Sequence, residues 1–323
     1  MLSTRMTDML HIRHPIMQGG LHNLGVPELA AAVSEAGGLG TINAAQYDTP
    51  EAFRTAVQRL RRMTAKPCCV NFSRLPDVSV GDDAMRLFEI AAEEGVPVIE
   101  TVGGLKPDFA AAVKKLPFVW IHKVPNLTYA LKAEAAGVDM VSVAGFECGG
   151  HPGREGLGTM TLTRLAALRL SVPVLAAGGI ADGAGLAAAL ALGAEGVVMG
   201  TRFVAARECT AHENFKNWII NARETDTVLC MRKHNPMRVA DNAAARRMLV
   251  LEAEDAPREA IMAVSAGAIG KRCYETGDIE GGIFPVGIAA GLIREVNTCR
   301  EIIENTVAEA EAAICRVEKF KTT

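Results

Sequence analysis

Residues 141–153 read VSVAGFECGGHPG, and the way this stretch is understood decides the fold. It starts as an apolar strand, breaks at Gly145, and presents His151 between Gly150 and Pro152. Glycine lets a backbone turn tightly and approach a ligand, and proline fixes the direction in which the chain leaves. A histidine on such a loop, at the C-terminal end of a strand, is where an α/β enzyme keeps an acid or base. Taken alone, GGHPG also describes a solvated glycine-rich turn. The flanking sequence has to decide between the two.

On both sides, short apolar runs alternate with helical patterns. The alternation predicts strands over residues 15–18, 39–42, 68–72, 96–100, 119–123, 140–143, 174–176 and 196–199. Helical patterns lie between them, among them 26–36, 50–63, 82–94, 127–136 and 183–192. Asp48-Thr49-Pro50 supplies cap residues and a first-turn proline, and Gly95 and Gly137 sit where helices should end. The strands are apolar on both faces, as parallel strands covered by helices must be. Eight of them in β-then-α order are the count of a (β/α)8 TIM barrel. A doubly wound open sheet is the competitor that periodicity leaves open.

From about Cys209 the rhythm changes. Residues 211–223, 238–252 and 298–319 read as helices with no strand between them, and a turn-rich segment at 275–287 separates the last two. The expectation is a barrel over 1–208 and a C-terminal helical subdomain over 209–323, packed beside the active-site mouth. The alternative is that this third only extends the outer ring of helices.

Composition narrows the function classes. With 22% charged residues and a net charge of −3, no basic face for nucleic acid stands out, and 5% aromatics argue against base-stacking platforms. No run is long and apolar enough to predict membrane insertion. The N-terminus lacks an uninterrupted export segment, and the eight cysteines contain no CxxC spacing, so reduced thiols in a cytoplasmic protein are expected. No metal site is expected either, because HExxH and paired CxxC are both missing, and no Walker loop is present.

If the barrel is right, the active site gathers at the C-terminal ends of the strands. Those ends carry Gln18-Gly19-Gly20, Asn71, Glu100, His122-Lys123, the His151 loop, Gly178-Gly179 and Gly200-Thr201. The last two are glycine loops that open into helices, at the strands where barrel enzymes hold a phosphate. Lys123 either neutralises an anion or extends to solvent. His151 is the natural acid or base. His122 alternates to the other face of its strand and is assigned to packing or surface, with His11, His14, His22, His212 and His234. Cys148 is read as a small packing residue, since nothing nearby lowers its pKa.

As an ordered set, HPIMQGGL at 14–21, EAGGLGT at 35–41, VNF at 70–72, IHK at 121–123, GFECGGHPG at 145–153, AAGGIADG at 176–183 and MGTRF at 199–203 carry a resemblance. The chain resembles the FMN-dependent nitronate monooxygenases, once called 2-nitropropane dioxygenases. Within them it is similar to the bacterial NADH:quinone reductase branch. The resemblance implies an FMN barrel with Gln18, Gly19 and Gly20 along the isoalloxazine, and Asn71 and Lys123 at the ring and ribityl regions. It places Gly178, Gly179, Gly200 and Thr201 at the phosphate, Gly150 beside the cofactor, and His151 towards the reactive face and substrate. The implied activity is oxidation of alkyl nitronates with O2 to a carbonyl compound and nitrite. NAD(P)H:quinone reduction is the alternative, with NAD(P)H as co-substrate, and an enoyl-thioester reductase or a non-catalytic flavin-binding protein are more remote. A homodimer is compatible with the resemblance.

Three departures weigh against NADH. Ala144 stands where the quinone-reductase branch has an acidic residue, and the loop after Asn71 (SRLPDVSVGDD) lacks that branch's longer proline-rich run. Phe284-Pro285-Val286-Gly287-Ile288 replaces the usual Trp and the polar residue near the site.

Overall fold

The computed structural model describes residues 2–73, 83–233 and 235–321. Eight strands lie side by side and all run parallel: β1 (Ile16–Gln18), β2 (Gly40–Asn43), β3 (Cys68–Phe72), β4 (Val98–Val102), β5 (Val119–Val124), β6 (Met140–Ala144), β7 (Val174–Ala177) and β8 (Gly196–Met199). β1 pairs with β8, and the seam between β1 and β2 is closed by a parallel bridge of Met17 to Leu39. There Gln18 N donates to Leu39 O at 3.0 Å and Leu39 N donates to Ile16 O at 2.9 Å. The open-sheet alternative is thereby excluded. The chain forms a (β/α)8 barrel.

Side chains alternate in and out along each strand, so the interior fills in layers. Leu39, Val98 and Met140 lie towards the N-terminal end, Met17, Cys69, Ile121 and Leu175 above them, and all are buried. Helix α1 (Arg5–Leu10) plugs the bottom: a Cβ on Gly196 would lie 2.3 Å from Met6 Sδ, so the missing side chain is what admits the methionine. Above the apolar layers come Thr41, Glu100 and Ser142, all buried. The barrel interior turns polar as it approaches the mouth.

The outer ring consists of α2 (Pro27–Glu35), α3 (Pro50–Met63), α4 (Asp83–Glu93), α5 (Pro107–Val113), α6 (Leu127–Ala136), α7 (Thr159–Arg169) and α8 (Gly183–Ala191). Their ends follow local chemistry. Thr49 caps α3 ahead of Pro50, Asn126 caps α6 and Gly137 ends it with φ of 85°, and Asp182 caps α8. Each cap accepts from an otherwise unpaired backbone N–H of the first turn.

After β8 the chain makes the short α9 (Thr201–Val204) and α10 (Glu213–Asn221), then an antiparallel hairpin of β9 (Thr227–Cys230) and β10 (Met237–Ala240). This corrects the expectation of helices without strands, and of a helix starting at residue 238. TVLC and MRVA are short enough to be absorbed into neighbouring helical patterns, and only their mutual pairing reveals them. Three helices follow: α11 (Ala243–Ala253), α12 (Arg258–Val264) and α13 (Gly267–Thr276). The final helix, α14 (Cys299–Glu318), returns to the barrel wall and packs between α8 and α2. It buries Ile302, Ile303, Val307 and Ala310 there, in the position of the eighth barrel helix. The intervening segment therefore interrupts the last β-to-α connection and sits over the mouth.

Candidate active site

A cavity of about 820 Å³ opens at the C-terminal ends of the strands. Gly19, Gly20, Asn71, Lys123, Gly150, His151, Gly178, Gly179, Gly200 and Thr201 all line it. Gln18 does not: it is fully buried behind the wall, its Oε1 accepting from Thr41 N at 2.9 Å while its Nε2 is spent on Gly19 O. The segment beyond β8 supplies the roof, with Met231, Met237, Met262, Tyr274, Ile283 and Pro285. The lower half is polar and glycine-rich, and the upper half is apolar.

The glycines are there because neighbouring backbone comes close. A Cβ on Gly178 would meet Cys148 N and Thr159 Oγ1 at 3.0 Å, and the backbone there has φ of 102°. Gly179 has φ of 72°. A Cβ on Gly20 would lie 2.3 Å from Asn71 Cγ, so Gly20 makes room for the amide that reaches the cavity floor. At the β8 loop, Thr201 Oγ1 accepts from Gly287 N at 2.9 Å, joining the roof to the barrel.

The loop after β6 is stitched down at several points. Thr159 N donates to both carboxylate oxygens of Glu147, at 3.0 and 2.9 Å, capping α7 from outside the helix. Thr159 Oγ1 lies 2.9 Å from Gly178 O, joining this loop to the next one. The other side is held by β10. Arg238 and Gly150 exchange backbone hydrogen bonds at 2.7 and 3.0 Å, as a further antiparallel bridge. The Arg238 side chain donates from Nε to Phe146 O at 3.2 Å and from Nη1 to Thr227 Oγ1 at 3.1 Å, with its guanidinium 4.8 Å from the Phe146 ring centre.

His151 is open to the cavity, and its Nδ1 lies 3.0 Å from Pro236 O. A carbonyl only accepts, so Nδ1 carries the hydrogen and Nε2 holds the lone pair of the neutral ring. Burial by the surrounding loops holds the imidazole below the ordinary histidine range, with the carbonyls of Pro236 and Asn235 opposing the drop. His151 is therefore a neutral base at pH 7.

The other histidines divide. His122 is buried behind the sheet: its Nε2 donates to Gly103 O at 3.1 Å, and its Nδ1 accepts from the Thr101 hydroxyl at 2.7 Å, whose oxygen in turn accepts from Trp120 Nε1. Burial pushes it down to about 4. It is a packing residue, as the strand alternation predicts. His14 is buried, His11 is exposed and His212 caps α10. His22 stands on the cavity rim, and His234 lies outside the described residues. Cys148 is buried, and burial pushes its thiol up, which suits packing. Among the described residues no group of His, Cys, Asp or Glu is placed to hold a metal, and no helix is long and apolar enough to cross a membrane.

Sequence reasoning missed the Pro236 carbonyl, Arg238 and the mouth arginines Arg154 and Arg258. All but Arg154 stand in the segment whose strands went unread. The residues of the SRLPDVSVGDD loop from 74 to 82 lie outside the described ones.

A closed parallel barrel with a neutral base, a lysine and two glycine loops around one cavity defines a TIM-barrel enzyme, with its site at the expected end. The nitronate monooxygenase family model matches residues 3–309. The chain belongs to that family and is an oxidoreductase. A nitronate monooxygenase of Paraburkholderia phytofirmans is 34% identical, over 67% of this chain and 71% of that one. An octahydro-indene-carboxyl-CoA dehydrogenase of Mycobacterium tuberculosis is 30% identical over 96% of both chains. The structure of FabK from Thermotoga maritima superposes with a TM-score of 0.92 at 38% identity, covering 99% of this chain and 100% of that one.

Proposed function

We propose that the chain is an FMN-dependent nitronate monooxygenase, and that the observation carrying this reading is a neutral His151 facing the same cavity as the Gly178-Gly179 and Gly200-Thr201 loops. The cavity suits the group: about 820 Å³ is near the top of the usual ligand-site range of roughly 300–1,000 Å³ and leaves room for a second, small molecule. The β7 and β8 loops would take the phosphate, while Gly19, Gly20, Asn71 and Lys123 would bound the ring from below, with Gly150 at its edge. FMN, when bound, supplies the electron acceptor that lets a nitronate and O2 become a carbonyl compound and nitrite. Nε2 of His151 takes the α-proton of a neutral nitroalkane, and Nδ1–H on Pro236 O keeps the ring in the required tautomer. The methionines of the roof hold the alkyl part and exclude water.

A second reading is favoured by one observation each in comparison and structure. The likeness to FabK and to a CoA dehydrogenase spans nearly the whole chain, and Arg154 and Arg258 both line the cavity mouth, where a phosphate-bearing thioester arm would pass. In this reading the protein is an NAD(P)H-dependent enoyl-thioester reductase.

Anaerobic spectra of the FMN-loaded protein separate the readings. Loss of the flavin band with propyl-nitronate, and none over minutes with NADH or NADPH, is the result expected. Loss with a nicotinamide, followed by reoxidation with crotonyl-CoA, would establish the reductase. Reoxidation by a quinone alone would establish an NAD(P)H:quinone oxidoreductase. A protein that cannot be loaded with FMN would remove every one of these.

A further inference from the structure

The cavity floor contains a fully buried acid that the proposed chemistry does not use. Glu100 lines the cavity, is 1% exposed, and ends a chain of hydrogen bonds whose direction is fixed at its far end. Ala45 N can only donate, and it donates to Asn43 Oδ1 at 2.8 Å. Asn43 must then present Nδ2 to Asn71 Oδ1, at 3.2 Å, an oxygen that also accepts from Ser73 Oγ. Asn71 is thereby turned so that Nδ2 donates to Glu100 Oε2. Oε2 is committed as an acceptor. Oε1 is buried without a partner among the described residues, so a proton on this carboxyl resides there. The titratable groups facing Glu100 are Lys123 from β5 and the Cys69 thiol from β3.

We propose that Glu100 is a positioning residue that remains a neutral acid in the folded barrel, locking Asn71 towards the cavity and leaving the Lys123 ammonium as the uncompensated charge of the cavity floor, available to an anionic ring. The geometry explains the choice. A carboxylate at this depth would bury a full charge on one hydrogen bond from a neutral amide, whereas the protonated acid has no charge to desolvate. Burial pushes the Glu100 carboxyl up, although Lys123 and Asn71 pull the other way. The identity of the anionic ring as flavin rests on the FMN reading; the neutrality of Glu100 does not.

The test uses Glu100→Gln in two states of the protein. Without cofactor, thermal stability is measured from pH 4 to pH 9. The folded state holds a proton that the unfolded carboxyl releases above its ordinary value, so the contribution of Glu100 to stability is lost as pH rises, and the Gln variant carries no such loss. The Gln variant should match the wild type near pH 4 and exceed it increasingly towards pH 8. A variant less stable than the wild type at pH 8 would show an ionised Glu100 paired with Lys123 and overturn the proposal. With FMN bound, sulfite is titrated: its sulfur lone pair forms a bond to the oxidised ring, which takes the negative charge, so the affinity reports positive charge nearby. The sulfite Kd should change by less than about threefold in Glu100→Gln at pH 7, a coupling below about 0.7 kcal/mol. A tightening of about tenfold or more would mean that the substitution had freed Lys123 from a carboxylate, and would sink the idea. If the Gln variant fails to fold, an infrared carboxyl band of the wild type, shifting with deuteration as a protonated acid does, decides the same point. A protein that binds no FMN but shows the stability pattern would refute the cofactor reading and leave this one standing.

Discussion

At His151, a single carbonyl determines what the side chain can do. Pro236 O fixes the hydrogen on Nδ1, and the lowered pKa favours the neutral ring, which is the form that the proposed role as a base requires. His151→Asn is expected to retain FMN and lose about 10²- to 10⁴-fold in turnover of a neutral nitroalkane, with a much smaller loss on a preformed nitronate. Full turnover of both substrates in this variant would remove the role. The pH profile of the wild type should fall on its acid side, because protonation removes the lone pair. Since the folded pKa is lowered, that limb should lie below about 6.5. Gly178→Ala adds a Cβ at 3.0 Å from Cys148 N in a backbone with φ of 102°, and is expected to cost about 1–3 kcal/mol and weaken FMN binding. Thermal melts with and without FMN check both. These residues were legible because glycine pairs and a histidine after a strand advertise themselves locally. The relay from Ala45 through Asn43 and Asn71 to Glu100 was not, because it exists only once three strands stand side by side.

The element that most changes the reading is the β9–β10 hairpin. MRVA is separated from the alanines of α11 only by Asp241 and the cap residue Asn242, and the helical pattern beyond them absorbed it. The eight barrel strands were readable because each is bracketed by turn signals and a helix. The hairpin is held to the barrel by Arg238 against Gly150 and by Val239 against Pro285. Arg238→Met keeps the strand and removes the side-chain bonds to Phe146 O and Thr227 Oγ1. It should lower kcat about tenfold or more and move the acid limb of the pH profile upward, as the loop around His151 opens to water. An unchanged profile would show the arginine to be packing alone. The Glu147 carboxylate holds the other flank, and Glu147→Ala should destabilise by about 1–3 kcal/mol through the lost cap on α7, measured by denaturant unfolding.

For the whole molecule, the order of barrel elements could be read from sequence, but the place of the last helix could not. α14 lies far along the chain from β8 yet fills the gap between α8 and α2. Its Ile302, Ile303 and Val307 are each worth about 1.5–3 kcal/mol buried, against a total stability of about 5–15 kcal/mol. A chain ending at Asn297 should therefore fail to give a protease-resistant barrel, even though every strand and every cavity residue is present. The molecule also carries a built-in acid limit. His122, neutral and pushed down to about 4, binds its proton more readily when unfolded, so stability should fall as pH drops from about 6.5 towards 4. His122→Asn should flatten part of that slope in a series of thermal melts.

The late arrival of α14 also sets an order of events during translation. Residues 205–298 leave the ribosome before the helix that shuts the wall, so the roof of the site is synthesised while the flanks of α2 and α8 are still bare. Until α14 is made, the apolar slot that it covers, with Leu29, Val33, Leu186 and Ala189 in the same core, lacks that cover. Because α14 follows residues 205–298 in the chain, that slot is sealed only on a chain whose roof has already been made.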